Sequence, residues 1–276
     1  MFNSPTFMKN KTLIHINSGL GNTLFQISTA FAYAKRFDKD LQLSKKIYSP
    51  STHEPLDNYL NTIFQNLDFC ENDIFIEDKI VKYNEPSFSY NKIPNVEGSI
   101  YLEGYFQSLR YFDDFENDIK GLFHLKTESK YDSHLKNSCS IHIRRGDYLT
   151  HSYAHPQQSK EYFKKAVNWV GLDKTFLIFS DEVDSIKSSN FCEEIGIINY
   201  VYVEGQDSYQ DLSLMSRCEN NIIVNSTFSW WSAYLNNHKD KIVIYPKKWF
   251  TEVYSNNIGS NVTPKDLFPK DWMCYE

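Results

Sequence analysis

The sequence holds no C-x-x-C pair, and its five cysteines, Cys70, Cys139, Cys192, Cys218 and Cys274, are widely spaced and odd in number. That excludes a disulfide framework or a zinc ribbon and fits a reducing cytoplasm. No uninterrupted run of about 18 apolar residues is present, so no transmembrane segment is expected. The N-terminal MFNSPTFMKNKTLIHIN holds only a short apolar stretch. The expectation is a soluble, cytoplasmic protein, with peripheral membrane association left open. Positive charge is scarce too: 29 Lys and Arg against 35 Asp and Glu give a formal net charge of −6. Such a chain lacks the broad basic field of a nucleic-acid binder, and no nucleic-acid partner is expected, although one local positive pocket remains open. No repeat or low-complexity tract occurs.

What is present is a long chain with ample apolar content. At 276 residues and 41% hydrophobic, it can build one large core or two ordinary ones, and length favours two. Aromatic residues reach 16%, with 19 Tyr and 20 Phe. They are either a Phe-rich core or, in part, platforms on which sugars stack.

TLIHINSGLGNTLFQISTAFAYAKRF (residues 12–37) reads as a strand, a glycine turn and a helix, with Leu24, Ile27, Phe31 and Ala34 at helical spacing. The polar stretch onward to about Asn95, punctuated by Pro50, Pro55, Pro86 and Pro94, reads as loops and small helices. GSIYLEGYFQSLRYF (98–112) reads as a strand running into a helix. In the second half, strand patterns at 139–143, 176–179, 201–203, 222–224 and 241–245 alternate with helical ones at 159–170, 185–194, 211–218 and 228–236. This alternation implies a parallel sheet covered on both faces, whose ligands sit beyond the carboxyl ends of its strands.

Those strand ends are polar. After Ile143 come Arg144, Arg145, Gly146 and Asp147; after Phe179 come Ser180, Asp181 and Glu182; after Val224 come Asn225, Ser226 and Thr227. Period-two geometry puts His142 and Arg144 on one side of their strand and Ile141 and Ile143 on the other. A guanidinium grips phosphate oxygens through two parallel hydrogen bonds, so paired arginines suit a diphosphate; the alternative is a solvated turn with Asp147 as ion partner. In NIIVNSTFSWWSAYLNNH, Ser226 or Thr227 can cap a helix whose N-terminus faces an anion above the sheet, or can cap it with no ligand at all. Trp230 and Trp231 are adjacent and face different directions, so one of them is expected in the core.

The glycine turn SGLGN falls short of the dinucleotide and P-loop fingerprints. Asp211 is read as opening the helix DLSLMSRC, where it favours the dipole or receives a nucleobase edge. Asp38-Lys39-Asp40 has the Asp-x-Asp form of a metal-diphosphate site, but it lies at the amino end of a strand, away from where such sheets bind ligands, so no metal is expected.

Taken in order, SGLGNTLFQ, LEGYFQSLRYF, HIRRGDY, FSDE, DLSLMSRCENNIIVNSTFSWWSAYLN and KIVIYPKKWF resemble the α-1,2-fucosyltransferases of glycosyltransferase family 11, from about Leu13 to Trp272. The resemblance implies an α/β fold of GT-B type, two Rossmann-like halves with parallel sheets and an interdomain cleft. Residues 1–135 would form the acceptor side and 136–276 the donor-binding half. It implies GDP-fucose as donor, an oligosaccharide or polysaccharide acceptor, inversion at the sugar carbon and a bacterial or viral type of enzyme. Carried over by residue, Arg144 meets the donor diphosphate, with His142 and Arg145 in the same motif. Ser226, Thr227 and Ser229 stand near the phosphates, Asp211 near the guanine, and Asp181 near base or ribose. Gly21 and Asn22 border the cleft. Ser18 stands where the family usually has glycine, and Thr23 and Ser232 also depart from its pattern. Asp147 and His142 are the nearest candidates for the general base, and Asp147 is preferred. Two rivals remain: a transferase of the same architecture with another donor or acceptor, and a non-catalytic carbohydrate-binding protein, which has no reason to keep the polar strand tips.

Overall fold

The computed structural model describes residues 9–49, 54–71, 80–125, 127–146, 152–257 and 266–275. The chain divides into two compact units, Met1–His124 with Lys265–Leu267, and Leu125–Pro264 with Phe268–Glu276. Both are α/β units built on parallel sheets, the fold class the strand–helix rhythm implies.

The first unit contains β1 (Lys11–Ile14), β2 (Ile16–Asn17), α1 (Leu20–Arg36), β3 (Asp40–Ser44), β4 (Tyr48–Ser49), α2 (Asp57–Leu60), β5 (Phe69–Cys70), β6 (Ile80–Asn84), β7 (Ser99–Glu103) and α3 (Glu116–Leu122). Its main sheet runs β5-β3-β1-β7-β6, all parallel. Leu13 and Ile14 of the central β1 are buried, as are Leu24, Ile27 and Ala34 of α1. Lys35 and Arg36 lie in the last turn of α1, where cations complement the helix dipole.

The stretch after β7 differs from its expected helix. Phe106 takes a φ of 52°, a left-handed value that a helix cannot propagate. The Tyr105 and Phe106 N–H groups both donate to Glu85 Oε2 at 2.8 Å. Two short 3₁₀ turns, Leu109–Tyr111 and Asp113–Phe115, follow before α3.

The second unit contains β8 (Ser138–Ile143), α4 (Lys160–Val170), β9 (Thr175–Ser180), α5 (Val183–Lys187), α6 (Phe191–Ile195), β10 (Tyr200–Tyr202), α7 (Ser208–Arg217), β11 (Asn220–Ile222), α8 (Thr227–Tyr234), β12 (Val243–Pro246), α9 (Glu252–Asn257) and β13 (Met273–Tyr275). The sheet order is β10-β9-β8-β11-β12-β13, again parallel throughout. The chain runs outward from β8 to β10 and then returns to β11 on the other flank of β8. A topological switch point therefore lies between β8 and β11, the place where open parallel sheets receive ligands.

Both faces of this sheet are covered. Cys139, Ile141 and Ile143 pack with Tyr162, Phe163 and Val167 of α4 and with Phe191 of α6. On the other face, Leu177 and Phe179 pack with Leu214 and Met215 of α7. Three local expectations need correction. The helix expected over 185–194 is two helices, because Asn190 sits at φ 48° between them. Asp211 does not open its helix: Asp207 caps α7, with Gln210 completing a capping box. Trp230 and Trp231 are both fully buried, Trp230 stacking on Tyr234 and Trp231 meeting the same ring edge-on, because every residue of α8 from Ser229 to Tyr234 is buried.

Candidate functional site

The tips of β8 and β9 are in register, Ile143 beside Ser180, so Arg144 and Asp181 emerge side by side. Asp181 Oδ2 lies 3.2 Å from Arg144 Nη1, and its Oδ1 accepts the Arg145 N–H at 2.9 Å. Arg145 Nη1 donates to Ser185 Oγ of α5 at 2.8 Å. A Cβ on Gly146 would stand 2.5 Å from Asp181 Oδ2, which explains why the motif needs glycine there. The sequence motif is thus a β8 tip clasped by the β9 tip.

His142 takes the face opposite Ile141 and Ile143, as strand alternation requires, with its ring 5.7 Å from that of Phe228. It is buried, and its Nδ1 has no hydrogen-bond partner among the described residues. Burial, joined by the Arg144 charge, pushes the imidazole down to about 3, so the ring is neutral near pH 7.

Across the switch point, β11 leads through Val224 and Asn225 into α8. Ser226 is the N-cap, and its side chain makes no capping hydrogen bond. The first N–H groups of α8 and the positive end of its dipole therefore stand beyond the strand tip. Thr227 begins the helix, half-buried. Ser229 is fully buried, and its hydroxyl donates to the Ser226 carbonyl at 3.2 Å. Asn225 is held from two sides: its Oδ1 accepts from Gln158 Nε2 at 2.9 Å, and its Nδ2 donates to the Trp249 carbonyl at 3.1 Å. A cavity of about 440 Å³ opens here, lined by Arg144, Arg145, Gln157, Gln158, Ser185 and Asn225 among others. The glutamines and Ser185 carry no signal in the sequence beyond a polar loop and a helix start.

The structure thus gathers His142, Arg144, Arg145 and Asp181 at neighbouring strand tips, with Ser226 and Thr227 on the adjoining strand's helix. Asp211 lies within α7, where its Oδ1 accepts from Gln206 Nε2 at 2.9 Å. Asp147 falls outside the described residues. In the first unit, Gly21 and Asn22 occupy the first turn of α1, after Ser18 at φ 68°. Asn22 Oδ1 accepts from Gln107 Nε2 at 3.0 Å. Gln26 Nε2 donates to Asn17 Oδ1 and to the Gly104 carbonyl, so SGLGN and LEGYFQ meet at the carboxyl ends of β2 and β7. Asp40 is the first residue of β3, and Asp38 pairs with Lys9 at 2.6 Å in solvent.

Fold and site together define an α/β protein with cationic side chains at the strand tips of a parallel sheet, where such sheets receive ligands. The chain belongs to glycosyltransferase family 11: the model described as Glycosyl transferase family 11 matches residues 3–275. It is 29% identical over 286 residues to the O-antigen biosynthesis glycosyltransferase WbnK of Escherichia coli, covering 85% of this chain and 93% of that protein. It is 28% identical over 289 residues to an α-1,2-colitosyltransferase of Escherichia coli, covering 94% and 96%. Among solved structures, it is similar to NodZ α-1,6-fucosyltransferase soaked with GDP-fucose, at a TM-score of 0.46 and 14% identity, covering 82% of this chain and 92% of that one. The protein is a glycosyltransferase, and no helix among the described residues is long and apolar enough to cross a membrane.

Proposed function

We propose that this glycosyltransferase moves L-fucose from GDP-fucose, with inversion, to the 2-hydroxyl of an acceptor glycan, a β-galactoside being the expected class. The observation that carries this reading is the placement of Arg144 and Arg145 on the tip of β8, beside β11, the strand that leads into the N-terminus of α8. In this reading the guanidinium groups and the start of α8 stabilise the charge that develops on a diphosphate leaving group, an effect commonly worth about 3 kcal/mol per well-placed donor. The α-1,2 linkage is supported by the relative named as an α-1,2-colitosyltransferase.

In this mechanism Arg144 holds the departing diphosphate, and the α8 N–H groups share its charge. His142 is a poor general base, because burial and Arg144 disfavour its protonation. Asp147 is the proposed base that takes the acceptor hydroxyl proton. No metal is needed, since the leaving group's charge is met by the arginines and the helix.

A second reading, transfer of another GDP-linked deoxyhexose, is favoured by the same relative's sugar. A screen of GDP-fucose, GDP-colitose, GDP-mannose and UDP-sugars against a β-galactoside panel, read as product formation, decides between them. Turnover with UDP-sugars alone would overturn both.

A further inference from the structure

The Asp181 carboxylate faces the arginine motif with both oxygens. Oδ1 holds the Arg145 backbone N–H at 2.9 Å, and Oδ2 lies 3.2 Å from Arg144 Nη1. The Arg144 and Asp181 side chains are each 23% exposed, so water weakens this pair less than a fully exposed one. Gly146 packs so closely that a methyl group would collide with Oδ2 at 2.5 Å. Parallel register, Ile143 beside Ser180, brings the carboxylate to this spot.

A carboxylate is a poor neighbour for a diphosphate unless its charge is already matched. We infer that Asp181 is a positioning residue: it touches neither base nor ribose of the donor but fixes the plane of the Arg144 guanidinium and the backbone of Arg145. A bidentate grip on phosphate depends on that plane, because the fork's hydrogen bonds lie within it. Anchoring one terminal nitrogen to a strand-borne carboxylate removes the rotamer freedom that the arginine would otherwise lose on binding. The inference rests on the donor site proposed above and reassigns one of its members.

The test is a double-mutant cycle read by calorimetric titration with GDP at up to millimolar concentration. Asp181→Asn keeps an oxygen to accept the Arg145 N–H and removes the charge facing Arg144. It weakens GDP binding about tenfold in the wild-type background and less than about twofold on top of Arg144→Ala, since its effect passes through that arginine. An equal loss in both backgrounds would mean that Asp181 acts on the nucleotide directly and would overturn the assignment. Gly146→Ala approaches from the other side. It weakens GDP binding where Asp181 is present and is silent in Asp181→Ala, where the space is open; a cost that persists in Asp181→Ala counts against the inference. Absence of GDP binding by the wild type would remove the donor site itself, an outcome visible in that arm alone.

Discussion

The Phe106 N–H donates to Glu85 Oε2 at 2.8 Å from a backbone held at φ 52°. The same oxygen takes the Tyr105 N–H, and the Tyr111 hydroxyl donates to Oε1 at 3.4 Å. Gly104 lies against the Glu85 side chain with no room for a Cβ. One carboxyl group thus organises the whole turn after β7.

Burial raises the Glu85 carboxyl to about 7, against the pull of its N–H donors. A folded value above the ordinary 4.5 means that stability is fully present below pH 4.5 and is lost as pH rises toward 7 and the group ionises in its site. The loss is at most about 3 kcal/mol, since each tenfold change in proton affinity corresponds to about 1.4 kcal/mol. Glu85→Gln keeps the accepting oxygen and cannot ionise, so across this window the wild type loses stability relative to the variant, while groups such as His142 affect both curves alike. Urea unfolding at pH 5 and pH 8 measures the difference; parallel losses in both proteins would refute it.

Arg144→Lys preserves charge and removes the fork. Activity falls about 100-fold, and GDP affinity falls with it, because an ammonium cannot make two parallel hydrogen bonds to one phosphate. Steady-state kinetics with a saturating acceptor provide the check. Near-wild-type turnover at unchanged GDP affinity would show that Arg144 is a structural partner of Asp181 and nothing more.

Much of this site was legible in the sequence because strand chemistry is short-range. Alternation in SIHI placed His142 opposite Ile141 and Ile143, and the polar residues after FLIF and IIV marked strand tips. What stayed hidden depends on long-range packing. Glu85 follows an edge strand written IVKYN, whose half-exposed pattern hides its partnership with residues 20 positions later. Asn221 falls between the helix expected at 211–218 and the strand expected at 222–224, yet it is buried in β11, donating to Ser140 Oγ at 2.7 Å and to the Met215 carbonyl. Asn236 in turn donates to Asn221 Oδ1. The break at Asn190 follows Ser188 and Ser189, a run that local propensity alone did not separate from helix.

Ser18 offers a stability test independent of catalysis. At φ 68° a serine bears the steric cost that a glycine avoids, and the family resemblance places glycine at this position. Ser18→Gly removes that strain but frees the unfolded chain, for a net gain of about 0.5 kcal/mol. A higher unfolding midpoint is the expected result. A lower one would mean that the serine side chain contributes more than its backbone costs.

The last prediction concerns metal. Asp38 and Asp40 reproduce the Asp-x-Asp form that holds Mg²⁺ or Mn²⁺ against a diphosphate in many nucleotide-sugar transferases. Their placement argues otherwise. Asp40 opens β3 at its amino end, while ligands of parallel sheets gather at the carboxyl ends. Asp38 sits at φ 49° in a turn and pairs with Lys9 in solvent, where screening leaves an ion pair little strength and it organises no site. In the proposed mechanism positive charge is supplied instead at the carboxyl end of the second unit's sheet, by Arg144, Arg145 and the start of α8. Activity in excess EDTA therefore equals that in Mn²⁺, and the Asp38→Ala/Asp40→Ala double variant stays within about twofold of wild type, the range expected for exposed charges. Activity that vanishes with chelator and returns with Mn²⁺ would show that a cation, not the guanidinium pair, carries the leaving group's charge.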